Sequence, residues 1–519
     1  MIKSTELTLT PEEASDEKII ENTVKNLFRI KDSDEFEIKK HKRSVDARSR
    51  FPVIKLLLDV YINESPAPEP VIKDNYKTCN SGKKVIIAGA GPAGYFAALE
   101  LIESGIKPVI FDRGKDVRSR RKDLRAIQLF SEVNPDSNYC FGEGGAGTYS
   151  DGKLYTRSHK RGDIYKAMRI LVEHGAKSDI LVDAHPHIGS NKLPLVVQNI
   201  RETILHYGGE INFESRVTDF IISENKILGV VVNNSEEFFG DSVILSTGHS
   251  ARDIFYLLKK NNIRTESKPF AMGIRIEHPQ ALIDEIQYRQ NPRSRFLPAS
   301  GYKLVSQING RGVFSFCMCP GGLIVPSATA PGEIVVNGMS MSRRDSEFAN
   351  SGIVVSVEKE DLLKYREHGE FDGLEFQKEY EKKFFEAGDG SQKAPAQRMT
   401  DFVKGKLSGS IGKTSYIPGV YSSVLNELLP GFISERLEKA FLEFGKKMKG
   451  YFTDEGYLAG LESRTSSPVR IPRVKETYEH VDVKNLYPCG EGAGYAGGII
   501  SAALDGQNGA KALSIKFKA

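Results

Sequence analysis

The chain has 519 residues, too many for one hydrophobic core, so two or three domains are expected. Its 39% hydrophobic and 27% charged content suits a soluble globular protein, and a net charge of +4 is too small to single out a polyanionic partner. Five cysteines (Cys79, Cys140, Cys317, Cys319, Cys489), odd in number and without CxxC spacing, exclude a disulfide framework, a zinc ribbon and a thioredoxin-like centre, and fit a cytoplasmic protein.

Leu7 and Leu9 alternate with polar neighbours, predicting a short strand, and the stretch around them lacks the apolar core of a signal peptide. Thr10-Pro11-Glu12-Glu13 reads as a capping box that opens a helix through Ile19, Ile20, Val24 and Leu27. Phe36 and Ile38 alternate, as do Ile54, Leu56, Leu58, Val60 and Ile62. The order β-α-β-β predicts a small ferredoxin-like α+β domain within residues 1–75. The basic run from Lys39 to Arg43 has no interleaved aromatics and reads as a solvated face, so nucleic acid is not expected as a partner. Pro66, Pro68 and Pro70 make 63–81 a stiff extended linker.

Residues 83–112 organise the rest. The apolar run Val85-Ile86-Ile87-Ala88 fits one buried strand; then come Gly89, Gly91, Pro92, Ala93 and Gly94, an apolar pattern of helical period (Phe96, Leu99, Ile102), and a second apolar run ending in Asp112 and Arg113. This is the strand–turn–helix–strand–acid context of a dinucleotide site. Gly89 permits the turn, Gly91 admits a pyrophosphate, Gly94 lets helix and strand pack, and Asp112 accepts from a ribose hydroxyl. A carboxylate there repels a 2′-phosphate, which favours FAD or NAD over NADP. The same glycine spacing recurs at Gly142, Gly144, Gly147 and at Gly492, Gly494, Gly497, but without that context. The glycines also break this most apolar window, which excludes a membrane span.

A basic helix follows from Arg118 to Phe130. The stretch from Gly142 to Lys153, including Gly144, Gly145, Ala146 and Gly147, is too glycine-rich for a regular element and reads as a loop wrapped over a ligand. After a helix from Leu195 to His206, strands are expected near Ile211, Thr218 and Ile227. The apolar run 241–248 should rejoin the parallel sheet beside the first strand, setting Thr247 and Gly248 near a cofactor. From Ser267 the chain alternates at period two (269–279, 313–319, 332–336), which suggests a β-rich second domain. Helices are expected at 373–385 and 433–448. The C-terminal run from Leu486 to Gly506 is again strand, glycines and an Ala-rich helix.

The GAGPAG turn, the central VILSTG strand and the C-terminal Gly490-Glu491 turn, in that order, resemble FAD enzymes with a glutathione-reductase-like FAD domain. The stretches GEGGAGTYSDGKL, FCMCPGG, KAPAQRMTDF and GEGAGYAGGIISAALDG resemble an uncharacterised bacterial FAD-dependent dehydrogenase family over residues 80–519. The resemblance implies FAD as the cofactor. Gly89, Gly91 and Gly94 would then take the pyrophosphate, Asp112 the ribose, Val217 the adenine, Glu491 the ribityl chain or pyrophosphate, and Gly498 and Ile499 the flavin edge. No second strand–GxGxxG–helix unit ends in an acid, so a separate nicotinamide domain is not expected.

An acid or base often assists hydride transfer. His278, close to Arg275 and Glu277, and His249, directly after Gly248, are the candidates. Cys317 and Cys319 invite a redox reading, but closure across so short a span is strained, and a buried loop beside the flavin is favoured. Arg343, Arg344, Arg398, Arg464 and Arg470 could bind a carboxylate. The expected architecture is an α/β protein: an N-terminal domain (1–75), a discontinuous Rossmann-like FAD domain (82–266 and 481–519) and an inserted β-rich α+β substrate domain (267–480). The expected function is a cytoplasmic FAD-dependent oxidoreductase acting on a small organic substrate, with an external electron donor or acceptor as a further expected partner. A flavin-dependent tRNA-modifying protein and a non-enzymatic flavin sensor or scaffold are the alternatives. No metal site and no membrane association are expected.

Overall fold

The apolar run after Lys83 forms the strand Lys84–Ala88, central to a five-stranded parallel sheet in a computed structural model that describes residues 1–156 and 161–518. The strand order is Leu486–Pro488, Ser242–Leu245, Lys84–Ala88, Lys107–Phe111, Glu210–Asn212. The 242–245 strand pairs in parallel with the central strand, as the sequence predicts. Period two sends alternate side chains to opposite faces. Val85 and Ile87 join one core with the helices Pro92–Glu103, Leu193–His206 and Ile499–Lys518. Ile86 and Ala88 join another, with the helix Arg252–Lys260 and the antiparallel sheet Val217–Ser223, Lys226–Val232, Glu236–Phe239.

The chain leaves this body at Glu266–Ser267 and returns at Val469–Arg470, two short strands paired antiparallel to each other. Between them lies a seven-stranded sheet in the order Val305–Ile308, Arg311–Cys319, Phe348–Val357, Phe270–Pro279, Tyr457–Glu462, Ala394–Arg398, Val420–Ser422. Its core takes in the helices Asp372–Glu386 and Gly431–Lys447. A hairpin of Gly322–Pro326 and Val336–Ser340 is a separate two-stranded sheet, so the strand expected at 332–336 starts only at its last residue.

At the N-terminus, β1 (Ile2–Leu9), α1 (Glu17–Phe28), β2 (Phe36–Asp46) and β3 (Val53–Ile62) form a sheet of order β1-β3-β2, with β3 antiparallel to both neighbours. This is the split β-α-β arrangement. The second helix and fourth strand that complete a ferredoxin-like fold do not follow, because the chain runs on into 63–83. The Thr10–Glu13 capping box exists, with Thr10 N donating to Glu13 and Glu13 N to Thr10 Oγ1. It closes only the short 3₁₀ turn Glu13–Ser15, and α1 has its own cap in Asp16. The segment 63–81, expected as a stiff extended linker, is in part packed: Ile72 and Tyr76 are buried in the core of the parallel-sheet body, and Ile72 N donates to Glu173 at 2.8 Å. Among the described residues no helix is long and apolar enough to cross a membrane.

Candidate cofactor and active site

Gly89 follows the central strand with φ +104°, and a Cβ there would stand 2.5 Å from the Ser246 carbonyl oxygen. Gly94 lies one helical turn on, where a Cβ would meet the Gly89 carbonyl oxygen at 2.0 Å. Both positions exclude side chains by close backbone approach. Gly91 differs: a Cβ there meets nothing closer than Gly145 Cα at 3.9 Å, because it opens into a cavity of about 390 Å³. Gly91 caps the helix Pro92–Glu103 without a side-chain hydrogen bond. The first-turn N–H groups of a helix lack partners within it, and here that end faces the cavity.

Other segments line the cavity as well. Phe111, Asp112 and Arg113 line it at the end of the neighbouring strand. The Asp112 carboxylate accepts from Ala90 N at 2.8 Å and Gly114 N at 2.9 Å, which ties the two strand ends together. Gly145, Ala146, Gly147 and Lys153 line it from the glycine-rich loop, and Val217, Thr247, Gly248 and His249 from the strand ends beyond. Gly490, Glu491, Gly498 and Ile499 line it from the C-terminal segment. A Cβ on Gly492 would stand 2.6 Å from the Gly248 carbonyl oxygen, and one on Gly506 would stand 2.0 Å from that of Ala93. The two long helices therefore cross in close contact, with both N-termini at the cavity. Arg473 donates twice to Asp505, at 2.9 and 2.5 Å, and Asp505 accepts from Gly490 N at 2.7 Å, which fixes the C-terminal turn.

Two expected cofactor residues stand behind the wall. Gly94 packs onto Gly89, and a Cβ on Gly144 would collide with Thr148 Oγ1. Of the catalytic candidates, only His249 reaches the cavity; its Nδ1 lies 3.1 Å from Glu491 Oε2. Burial works against the Glu491 carboxylate, but the His249 ring and the Gly498 N–H outweigh it and hold the group below its ordinary range. The placement of Arg275, Glu277 and His278 corrects the sequence expectation. None of them lines the cavity, because all three lie within the covered middle of the inserted sheet. Arg275 is fully buried, donating to Glu462 at 2.8 Å and Asn350 at 2.7 Å. Glu277 accepts from Ser415 N at 2.8 Å, and burial pushes its carboxyl up to about 7. His278 Nε2 lies 2.9 Å from the Tyr451 carbonyl oxygen, and burial lowers its ring to about 4.

The sequence reading missed the main organiser of the glycine loop. Arg120 is fully buried, and its guanidinium donates to the carbonyls of Asn138, Glu143 and Gly145 at 2.7–2.9 Å. Loop residue Glu143 is buried too, accepting from Tyr95 Oη at 2.7 Å and Val117 N at 2.8 Å. The inserted body supplies the facing wall: Phe316, Cys317, Asn337, Arg464 and Thr465. Beside it Lys153 donates to the Met318 carbonyl and pairs with Asp151 at 3.7 Å. Burial opposes the Asp151 carboxylate, yet Lys153 and Arg344 hold it below its usual range. Two of the arginines considered for a carboxylate are already paired, Arg344 with Asp151 and Arg464 with Glu381 and Glu333.

Comparison with known proteins agrees with this arrangement on the cofactor. Residues 269–465 match a family described as "FAD-dependent protein, C-terminal domain-like", and residues 1–61 match a domain of unknown function. An uncharacterized protein of Clostridium beijerinckii is 39% identical over 497 residues, covering 92% of each chain. Two solved structures show a looser likeness. CtdE in complex with FAD is 10% identical, with 83% and 84% of the two chains covered and a TM-score of 0.32. A geranylgeranyl bacteriochlorophyll reductase-like protein of Thermoplasma acidophilum is 12% identical, with 84% and 80% covered and a TM-score of 0.35. FAD is the cofactor, and the cavity offers it two helix N-termini, an acid at a strand end and a flat glycine-lined wall.

Proposed function

This chain belongs to the same family as the clostridial protein, and from that premise we propose an FAD-dependent oxidoreductase of glutathione-reductase-like type, a dehydrogenase that moves a hydride between its cofactor and an organic substrate. One observation carries the reading: helix N-termini and Asp112 on one side of a cavity face Phe316, Cys317, Asn337 and Thr465 of the inserted body on the other. When bound, FAD supplies two-electron chemistry at its ring. The residues bind and orient. N–H groups at the start of Pro92–Glu103 take the diphosphate, as the helix dipole favours. Each Asp112 oxygen accepts one backbone N–H and keeps acceptor capacity for a ribose hydroxyl. The glycine loop held by Arg120 excludes water from the ring. Glu491 at His249 Nδ1 fixes the ring's tautomer, leaving Nε2 as the nitrogen that gives or takes a proton. Lys153 supplies positive charge on the substrate side, and an external electron donor or acceptor completes turnover.

The test begins with purified protein titrated with FAD. One equivalent per chain should bind and give a flavin spectrum. Anaerobic stopped-flow mixing with a panel of nicotinamides and small metabolites should then bleach it. A flavin that binds but that no donor reduces would overturn the oxidoreductase reading and favour a sensor.

A further inference from the structure

We propose that Cys317 and Cys319 form a redox-active dithiol at the cavity wall, Cys317 attacking a disulfide substrate and Cys319 resolving the product. The strand Arg311–Cys319 pairs regularly with Phe348–Val357 up to Phe316, then slips before Cys319 regains register opposite Asn350. Cys317 sits in that bulge with φ +44°, a left-handed conformation that costs a non-glycine residue. Bulges re-aim side chains beside active sites. Here Cys317 comes to line the cavity, while Cys319 stays fully buried behind it.

Polar groups hold the bulge from three directions. The Cys319 thiol lies 3.2 Å from the Cys317 carbonyl oxygen, Arg275 Nη1 donates to that oxygen at 3.3 Å, and Lys153 Nζ donates to the Met318 carbonyl. Glycines make room beneath: a Cβ on Gly338 would stand 2.9 Å from Cys319 Sγ and 2.3 Å from Arg275 Nη1. Electrostatics separates the two thiols. The hydrogen bond from Cys319, with Lys153 and Arg275 nearby, overcomes burial and the Asp151 charge and lowers the Cys317 thiol below its ordinary range, whereas Cys319 is raised. A readily ionised thiol at the cavity wall and a buried thiol two residues on suit attack and resolution respectively. The short span between the cysteines would strain a permanent staple. In a cycling pair that strain makes the bridge easy to reduce.

The exchange balances. The Cys317 thiolate attacks one sulfur of RSSR′, the S–S bond breaks, and R′S⁻ leaves and takes a proton. Cys319 gives up its proton and attacks the Cys317 sulfur, and RS⁻ leaves. The substrate has gained two electrons as RSH and R′SH, and the pair is a disulfide. Reduced FAD, when bound, would supply the two electrons and two protons that restore the dithiol, so turnover rests on the flavoenzyme reading, while the thiol exchange itself does not.

The test therefore follows thiols alone. Reduced full-length protein, freed of reductant, is mixed with dithiobis(nitrobenzoate), and released thionitrobenzoate and retained adducts are measured. Wild type should release two equivalents in its fast phase and keep no adduct. Cys319→Ser, with Cys319→Ala as a second variant, should release one and retain a mixed disulfide, mapped by peptide mass to Cys317. Cys317→Ser should lose the fast phase while keeping the wild-type circular dichroism. A fast phase that survives in Cys317→Ser, a wild-type adduct stable on Cys317, or a fast adduct on Cys140, which lines the same cavity, would overturn the proposal. Failure here would leave FAD titration unchanged, so the two readings fail separately.

Discussion

Two glycines three residues apart make different demands on a side chain. At Gly91 the backbone has φ −79° and the space beyond is cavity, so Gly91→Val should fold with a melting temperature near wild type and lose FAD retention. At Gly94 even a methyl group meets a carbonyl at 2.0 Å. Gly94→Ala should therefore cost on the order of 3 kcal/mol, seen in denaturant melts before any flavin is added. Glu277 offers a second prediction, in pH. Its folded value, about 7, lies above the unfolded value, so its contribution to stability is full below the unfolded value and is lost as pH rises through 7. Glu277→Gln should remove that dependence. Melts at pH 8 should show the variant gaining on wild type by on the order of 2 kcal/mol relative to pH 4. A pH-independent difference would mean that folding does not raise the Glu277 carboxyl.

At the scale of elements, the glycine-rich loop has no regular structure beyond the 3₁₀ turn Gly145–Gly147, and the buried Arg120 fork holds its carbonyls. Arg120→Met should lower FAD affinity by tenfold or more, measured by flavin titration, since charge-assisted hydrogen bonds contribute about 1.5–3 kcal/mol each. Arg120→Lys should not rescue it, because a point charge cannot span the same carbonyls. Arg120 also shows where the sequence stops being informative. Arg118 to Lys122 reads as a solvated basic run, and nothing in the local pattern says that one of its side chains turns inward. The parallel-sheet turn was legible because strand, glycines, helix and acid are contiguous. The C-terminal and 241–248 turns were legible from their small residues after an apolar run. The Cys317 bulge was not, since its register depends on the partner strand Phe348–Val357. Likewise His278 stands beside Arg275 and Glu277 in sequence, but the strand that carries all three is covered on both faces.

At the scale of the whole molecule, charge pairs join the bodies. Arg252, on a helix of the parallel-sheet body, donates to Glu333 at 2.6 Å and also to Glu381, and both acids bind Arg464 of the inserted body. Glu381 is fully buried, so Glu381→Gln leaves two cations undercompensated. It should cost about 3–5 kcal/mol, read as a lower melting temperature. The N-terminal unit spans both larger bodies. Arg43 N donates to the Val182 carbonyl, its guanidinium pairs with Asp183 at 2.7 Å, and Tyr288 and Leu297 of the inserted body complete the unit's own core.

The crossing of the helix at Pro92 with the helix at Ile499 also bears on biosynthesis. The ribosome makes the first of these surfaces hundreds of residues before the second. At roughly 5–20 residues per second the interval is some tens of seconds. During that time the first glycine turn is without its counterpart, and the cavity lacks the wall that Gly490, Glu491, Gly498 and Ile499 supply. Loading is therefore a late event, and a message cut short before codon 490 would yield a polypeptide that stays colourless.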